Sequence, residues 1–165
     1  LGYGKNYGLI NFGIAGKYIT EEIDDYRAQA LAMDFGALVD FGPKNVPLSL
    51  GFAVQNIGTR AKFQSEYEEL PVNFKAGLAY QFLSSGLLVM DANLPKHGDA
   101  TVHAGGEYTV FERLVLRAGY NGRNETGSGL TVGGGIKVNR FSVDYAFVPF
   151  GTLGESHKIS LSYYW

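Results

Sequence analysis

The chain carries three histidines, His97, His103 and His157, and no cysteine. Any acid, base or metal-binding chemistry it performs must therefore use imidazole, carboxylate and hydroxyl groups. His103 is the most suggestive of the three. Four residues on, and so on the same face of an extended strand, stands Glu107, a carboxylate of the kind that orients an imidazole acting as a general base. Yet no serine in a recognisable nucleophile setting accompanies the pair, and a solvated histidine on a polar face asks for less. His97 and His157 fall at or next to connecting segments and read as solvated.

Two acidic groups invite a metal reading: Glu21, Glu22, Asp24 and Asp25, then Glu66, Glu68 and Glu69. Carboxylate oxygens suit calcium or magnesium, but neither spacing matches a calcium-binding loop, and a solvated face is the simpler reading. Gly133, Gly134 and Gly135 lack the following helix that a phosphate-binding loop needs, and read instead as a place of curvature or close packing within a strand. Asn124, Glu125 and Thr126 spell a glycosylation sequon, a three-residue pattern that by itself implies no activity. No catalytic residue, metal site or cofactor is expected.

What remains is a set of single charges, Lys17, Asp34, Lys75, Asp91, Glu107, Arg117, Lys137, Asp144 and Lys158, and the elements that carry them. Apolar residues recur at every second position, which is the period of a strand. The alternation places strands at 8–19, 29–42, 47–58, 71–82, 86–95, 100–111, 113–121, 129–139, 141–149 and 156–165. Their connections alternate between short (42–46, 83–85, 112–113, 139–140) and longer (20–28, 59–70, 96–99, 122–128, 150–155). An up-and-down meander with tight turns at one end and longer loops at the other is the pattern of outer-membrane barrels.

Composition agrees. Charged residues are 18% and aromatic residues 14% of the 165, and 23 glycines stand against 5 prolines, which favours closely packed strands over a helical bundle. With 14 basic and 16 acidic residues spread along the chain, there is no basic surface for nucleic acid. No stretch is long and apolar enough for a spanning helix. One domain, 1–165, is expected.

Each strand has two unlike faces. Ile159, Leu161, Tyr163 and Trp165 share one, while Lys158, Ser160 and Ser162 share the other. Likewise Leu31, Met33, Phe35, Val39 and Phe41 oppose Asp34 and Asp40, and Leu114, Leu116 and Tyr120 oppose Arg117. A soluble barrel or sandwich also alternates, so volume decides. The interior of a barrel of about eight to ten strands is just filled by side chains, and several large residues per strand suit its outside, against lipid. The Gly, Ala, Ser and single-charge face suits a narrow lumen. Aromatics near strand ends, Phe41, Phe82, Phe141, Tyr163 and Trp165 at the short turns and Tyr18, Tyr120 and Phe147 at the loops, fit interfacial girdles.

The segments Gln55-Asn56-Ile57-Gly58, Leu70-Pro71, Phe74-Lys75-Ala76-Gly77-Leu78-Ala79-Tyr80, Asp91-Ala92-Asn93-Leu94, Gly105-Gly106-Glu107-Tyr108, Leu116-Arg117-Ala118-Gly119-Tyr120, Asp144-Tyr145-Ala146-Phe147-Val148-Pro149-Phe150-Gly151 and His157-Lys158-Ile159-Ser160-Leu161-Ser162 occur in this order. In that order they resemble the PorV/PorQ family of bacterial outer-membrane proteins, itself similar to FadL-type transporters. The resemblance implies an outer-membrane barrel roughly four strands larger, with further strands before Leu1. It also implies a non-enzymatic role in transport or type IX secretion, and brings no catalytic residues. A passive porin-like channel is the main rival, and a small lipid-modifying barrel enzyme built on His103 the second.

Two further expectations concern named residues. The charges are expected to pair across a narrow lumen. The turn at 111–113 sets Glu107 opposite Arg117, and the turn at 139–140 sets Asp144 diagonal to Lys137. The aromatic-ended last strand, Ile159, Leu161, Tyr163 and Trp165, resembles the segment that the barrel-assembly machinery reads. Expected partners are thus outer-membrane lipid, that machinery, and secretion subunits or secreted cargo.

Overall fold

The computed structural model describes residues 1–23, 26–59, 61–63, 66–123 and 127–163, with the backbone alone for 21–23, 26–28, 61–63 and 66–68. Thirteen strands follow one another among these residues: β1 Gly2–Tyr7, β2 Ile10–Ile23, β3 Tyr26–Asp40, β4 Leu48–Gly58, β5 Ala61–Phe63, β6 Glu66–Glu68, β7 Asn73–Phe82, β8 Gly86–Pro95, β9 Thr101–Val110, β10 Leu114–Asn121, β11 Leu130–Val138, β12 Phe141–Pro149 and β13 Glu155–Tyr163. Eleven of them pair in chain order, and β5 with β6 form a separate two-stranded ribbon. Two short 3-10 turns, Gly42–Lys44 and Gly151–Leu153, lie in connections. The fold class is all-β, with up-and-down antiparallel strands.

Turn chemistry sets the register. Between β9 and β10, Phe111 and Glu112 take left-handed backbone angles (φ 50° and 59°), and the Arg113 N–H donates to the Val110 carbonyl at 3.1 Å. That closes a loop of 111–113 and pairs Val110 with Leu114, Glu107 with Arg117 and His103 with Asn121. Between β11 and β12, Asn139 (φ 53°) makes a two-residue turn, the tight hairpin form in which asparagine tolerates a positive φ.

The strand pattern read from alternation differs from this in three places. The strand Gly2–Tyr7 precedes the expected first one, pairing with β2 from Gly2↔Ala15 to Tyr7↔Ile10. Its alternation is masked because Lys5 interrupts the face formed by Tyr3 and Tyr7. The expected loop 20–28 is largely ladder, with β2 and β3 paired as far as Ile23↔Tyr26. Backbone pairing needs no apolar alternation, so the acidic run there read as loop. The connection 59–70 holds the β5–β6 ribbon. Tyr164, Trp165, Asp24, Asp25 and the sequon 124–126 lie outside the described residues.

The chain falls into two compact units, residues 1–77 with 92–100, and residues 78–91 with 101–165. In the first, β2 lies between β1 and β3, so both of its edges are occupied. A ten-strand closure pairing 8–19 with 156–165 is therefore excluded. The large side chains Leu31, Met33, Phe35, Phe52 and Phe74 are exposed on one face, while Ala30 and Ala32 are buried on the other. In the second unit Leu116, Val143, Tyr145, Ile159 and Leu161 are exposed, while Val115 and Ser142 are buried. Phe82 stacks on Tyr108, and Phe141 packs on Tyr163 with ring centroids 5.0 Å apart beside the 139–140 turn.

In each unit most large apolar residues thus stand on the open face and most small ones on the shielded face, with Leu38, Leu87 and Val89 as exceptions, the reverse of a water-soluble sheet protein. A contiguous apolar surface of this kind requires a non-aqueous cover. Leu116, 49% exposed, is a direct probe. Leu116→Arg should lower stability in a bilayer by about 2–4 kcal/mol if the position lies at the midplane of the hydrocarbon. Denaturant unfolding from vesicles measures this, and an unchanged midpoint would contradict the face assignment.

Candidate functional site

In the second unit the charged residues converge across the glycine run. Register puts Arg117 of β10 opposite Glu107 of β9 on one side and Gly133 of β11 on the other. Gly135, next along the same face of β11, stands opposite Asp144 of β12. A Cβ at Gly135 would collide with Asp144 Oδ1, so glycine there leaves a slot through which Arg117 reaches past one whole strand. The guanidinium fork bonds to both sides, Nε to Glu107 Oε2 at 2.7 Å and Nη1 to Asp144 Oδ1 at 2.5 Å. Ser142 Oγ donates to Asp144 Oδ2 at 2.8 Å. One guanidinium between two carboxylates is an arrangement of charge-assisted bonds that a lysine does not reproduce.

The cluster borders a groove of about 470 Å³ whose lining includes Leu87, Val89, Glu107, Arg117, Asp144 and Lys158. Chemically this groove offers apolar contact beside a largely compensated set of charges. Asp144 corrects one expectation: its partner is Arg117, not Lys137. The register places Lys137 opposite Ser142, one step nearer the turn, while the glycine slot opens Asp144 to the longer fork.

A second cluster lies in the first unit. Lys17 Nζ contacts Asp34 Oδ1 at 2.8 Å and donates to Asn56 Oδ1 at 2.6 Å. The Asn56 backbone N–H donates to Asp34 Oδ1 at 2.9 Å, and its Nδ2 donates to the Pro71 carbonyl at 3.0 Å. Asn56 (φ 62°) is placed so by a register shift between Met33 and Phe35. A β-bulge of this sort re-aims a side chain. Sequence reasoning missed this role of Asn56, although the adjacent polar pair Gln55-Asn56 in an alternating run marks such a break. Nearby, Asn73 Nδ2 donates to Oδ1 of the buried Asn93.

The other candidate residues make no direct bond to these clusters among the described residues, although Lys158 lines the same groove as Arg117. Among the described residues Lys75, Asp91, Lys137 and Lys158 form no ion pair. His103 and Glu107 share a face but stand about 13 Å apart along the strand at ~3.3 Å per residue, and Glu107 is engaged by Arg117. The two do not form a base and its partner. His157, opposite Phe147, lies on the apolar face rather than simply in solvent. Its Nδ1 is 2.7 Å from Tyr145 Oη, and its Nε2 is 3.2 Å from Glu155 Oε1. His97 is exposed. Glu69 pairs with Lys96 at 2.7 Å, and the side chains of Glu21, Glu22, Glu66 and Glu68 lie outside the described residues. Among the described residues no group of His, Asp and Glu is arranged to hold a metal ion. Ile159, Leu161 and Tyr163 share the exposed apolar face of β13.

No protein-family model matches the chain, and no curated protein matches it. Among solved structures, a porin of Rh. blastica carrying three substitutions matches with a TM-score of 0.60, over 94% of this chain at 12% identity. The chain spans 55% of that porin's length. The likeness is one of fold: the up-and-down antiparallel strands of an outer-membrane β-barrel.

The three members of the Arg117 cluster are a quarter to a third exposed or slightly more (38%, 33% and 23%). Breaking a buried pair costs about 3–5 kcal/mol, whereas an exposed pair is worth about 0.2–1. Arg117→Ala should fall between, at about 1–3 kcal/mol. A double-mutant cycle with Asp144→Asn should give a coupling above about 0.5 kcal/mol. Additive losses would show that the two side chains act independently.

Proposed function

We propose that this chain is the strand-forming part of a bacterial outer-membrane β-barrel with a non-enzymatic role in transport or protein secretion across that membrane. In this reading the small-residue face is the lumen wall and the apolar face meets lipid. The observation that supports it is the character of the groove on the small-residue face, where Leu87 and Val89 stand beside Arg117 with its two carboxylates. A passive aqueous pore works best with free polar surface along its wall. Here Arg117 is held between two carboxylates and Lys158 lines the same groove, so its charges balance, and apolar side chains share the surface, which suits an amphipathic passenger or a covering segment better than a stream of ions and water. The PorV/PorQ resemblance points the same way, and the partners that follow are the barrel-assembly machinery, secretion subunits and cargo.

The fold likeness to a porin favours a second reading, a passive channel. An enzyme acting on lipid is the least supported, since among the described residues His103 has no carboxylate partner. Planar-bilayer recording separates the first two. The expected outcome is protein that inserts without steady ohmic conductance; regular conductance steps that scale with salt would overturn the proposal in favour of the channel.

A further inference from the structure

The apolar face of the first unit is not a featureless lipid contact. It holds a concavity of about 730 Å³ lined by rings and aliphatic chains, among them Tyr3, Tyr7, Phe12, Phe35, Phe52 and Phe74. Register places them on one face: Tyr3 is opposite Ile14, which is opposite Phe35, which is opposite Val54. Into the same concavity projects one cation on β1, Lys5, paired in register with Phe12. Its Nζ lies 5.1 Å from the centre of the Tyr7 ring. Among the described residues it has no carboxylate partner. A lysine on a lipid-facing surface is unfavourable at mid-membrane and tolerable near an interface. Lys5 stands two residues before the end of its strand, so its Cα is about 7 Å from the turn at ~3.3 Å per residue, within the reach of a four-carbon stem that snorkels toward headgroups. The cation over Tyr7 is thus at the level where aromatic rings and phosphates meet.

We propose that this concavity is a binding site for an anionic glycerophospholipid of the leaflet at the short-turn end, with acyl chains among the Phe12, Phe35, Phe52 and Phe74 rings and the phosphate on Lys5. The inference rests on the membrane reading above. Charge complementarity selects the occupant: an apolar groove with Lys5 at its polar end, and Lys75 of β7 also in its lining, matches a molecule with two apolar chains and an anionic head. A second protein copy would have to bring its own carboxylate into the same apolar surroundings.

The test is native mass spectrometry of the full chain released from nanodiscs of phosphatidylcholine, with and without a minority of phosphatidylglycerol. Wild type should retain phosphatidylglycerol about fivefold above its bulk share, the ratio that roughly 1 kcal/mol per basic residue at an anionic surface provides. Lys5→Gln should abolish the enrichment, Lys5→Arg should keep it, and Lys44→Gln, in the connection after β3, should leave it unchanged. Enrichment that survives Lys5→Gln, or none at all in protein that inserts normally, overturns the site while leaving the membrane reading intact. Failure to insert into either bilayer removes both.

Discussion

A peptide group in hydrocarbon has no water to bond to, and each unpaired N–H or C=O there costs several kcal/mol. Strands can meet that demand only by pairing edge to edge, which commits every residue to one of two faces. The rest of this protein's structure depends on that commitment. One face must be apolar along its length, so the other has to carry everything polar the protein needs. In the first unit Leu31, Met33 and Phe35 are consequently exposed on one face with Asp34 on the other, and in the second Leu116, Val143 and Ile159 are exposed on one face with Arg117 and Asp144 on the other.

Crowding on the polar side has a second consequence. Neighbouring strands lie about 4.8 Å apart, so an ion pair that skips a strand must cross over the residue between. At Gly135 that residue has no side chain, and Arg117 bonds simultaneously to Glu107 and Asp144. In the other unit the same problem is solved by a bulge instead. Asn56, turned out of the regular ladder, brings its N–H to Asp34 and its side-chain oxygen to Lys17. Glycine removal of bulk and a local register shift are two routes to one end, the compensation of charge on a shielded face.

Much of this was legible in the sequence because the period of two is a strong signal. The pairing of Glu107 with Arg117 could be read from the three turn residues 111–113 and simple counting. Contacts one strand farther were not legible in the same way: whether Asp144 meets Lys137 or Arg117 depends on what stands between them, and the glycine run reads as curvature or close packing. The strand Gly2–Tyr7 escaped because Lys5 occupies its apolar face, and the ladder beyond Thr20 escaped because polar residues pair their backbones as well as apolar ones. Asn56 belongs to the family-like segment Gln55-Asn56-Ile57-Gly58, and that likeness carries no physical role for it.

The central claim is that alternate residues of one strand face lipid and lumen. The chain has no cysteine, so single cysteines placed in turn at positions 114–121 of β10 can each carry a nitroxide label in the bilayer-reconstituted protein. Spin-label accessibility should then alternate, with Leu114, Leu116, Ala118 and Tyr120 open to dissolved oxygen and Val115, Arg117 and Gly119 shielded from it. Uniform access to a water-soluble relaxing agent along the strand, or alternation in the opposite phase, would contradict it.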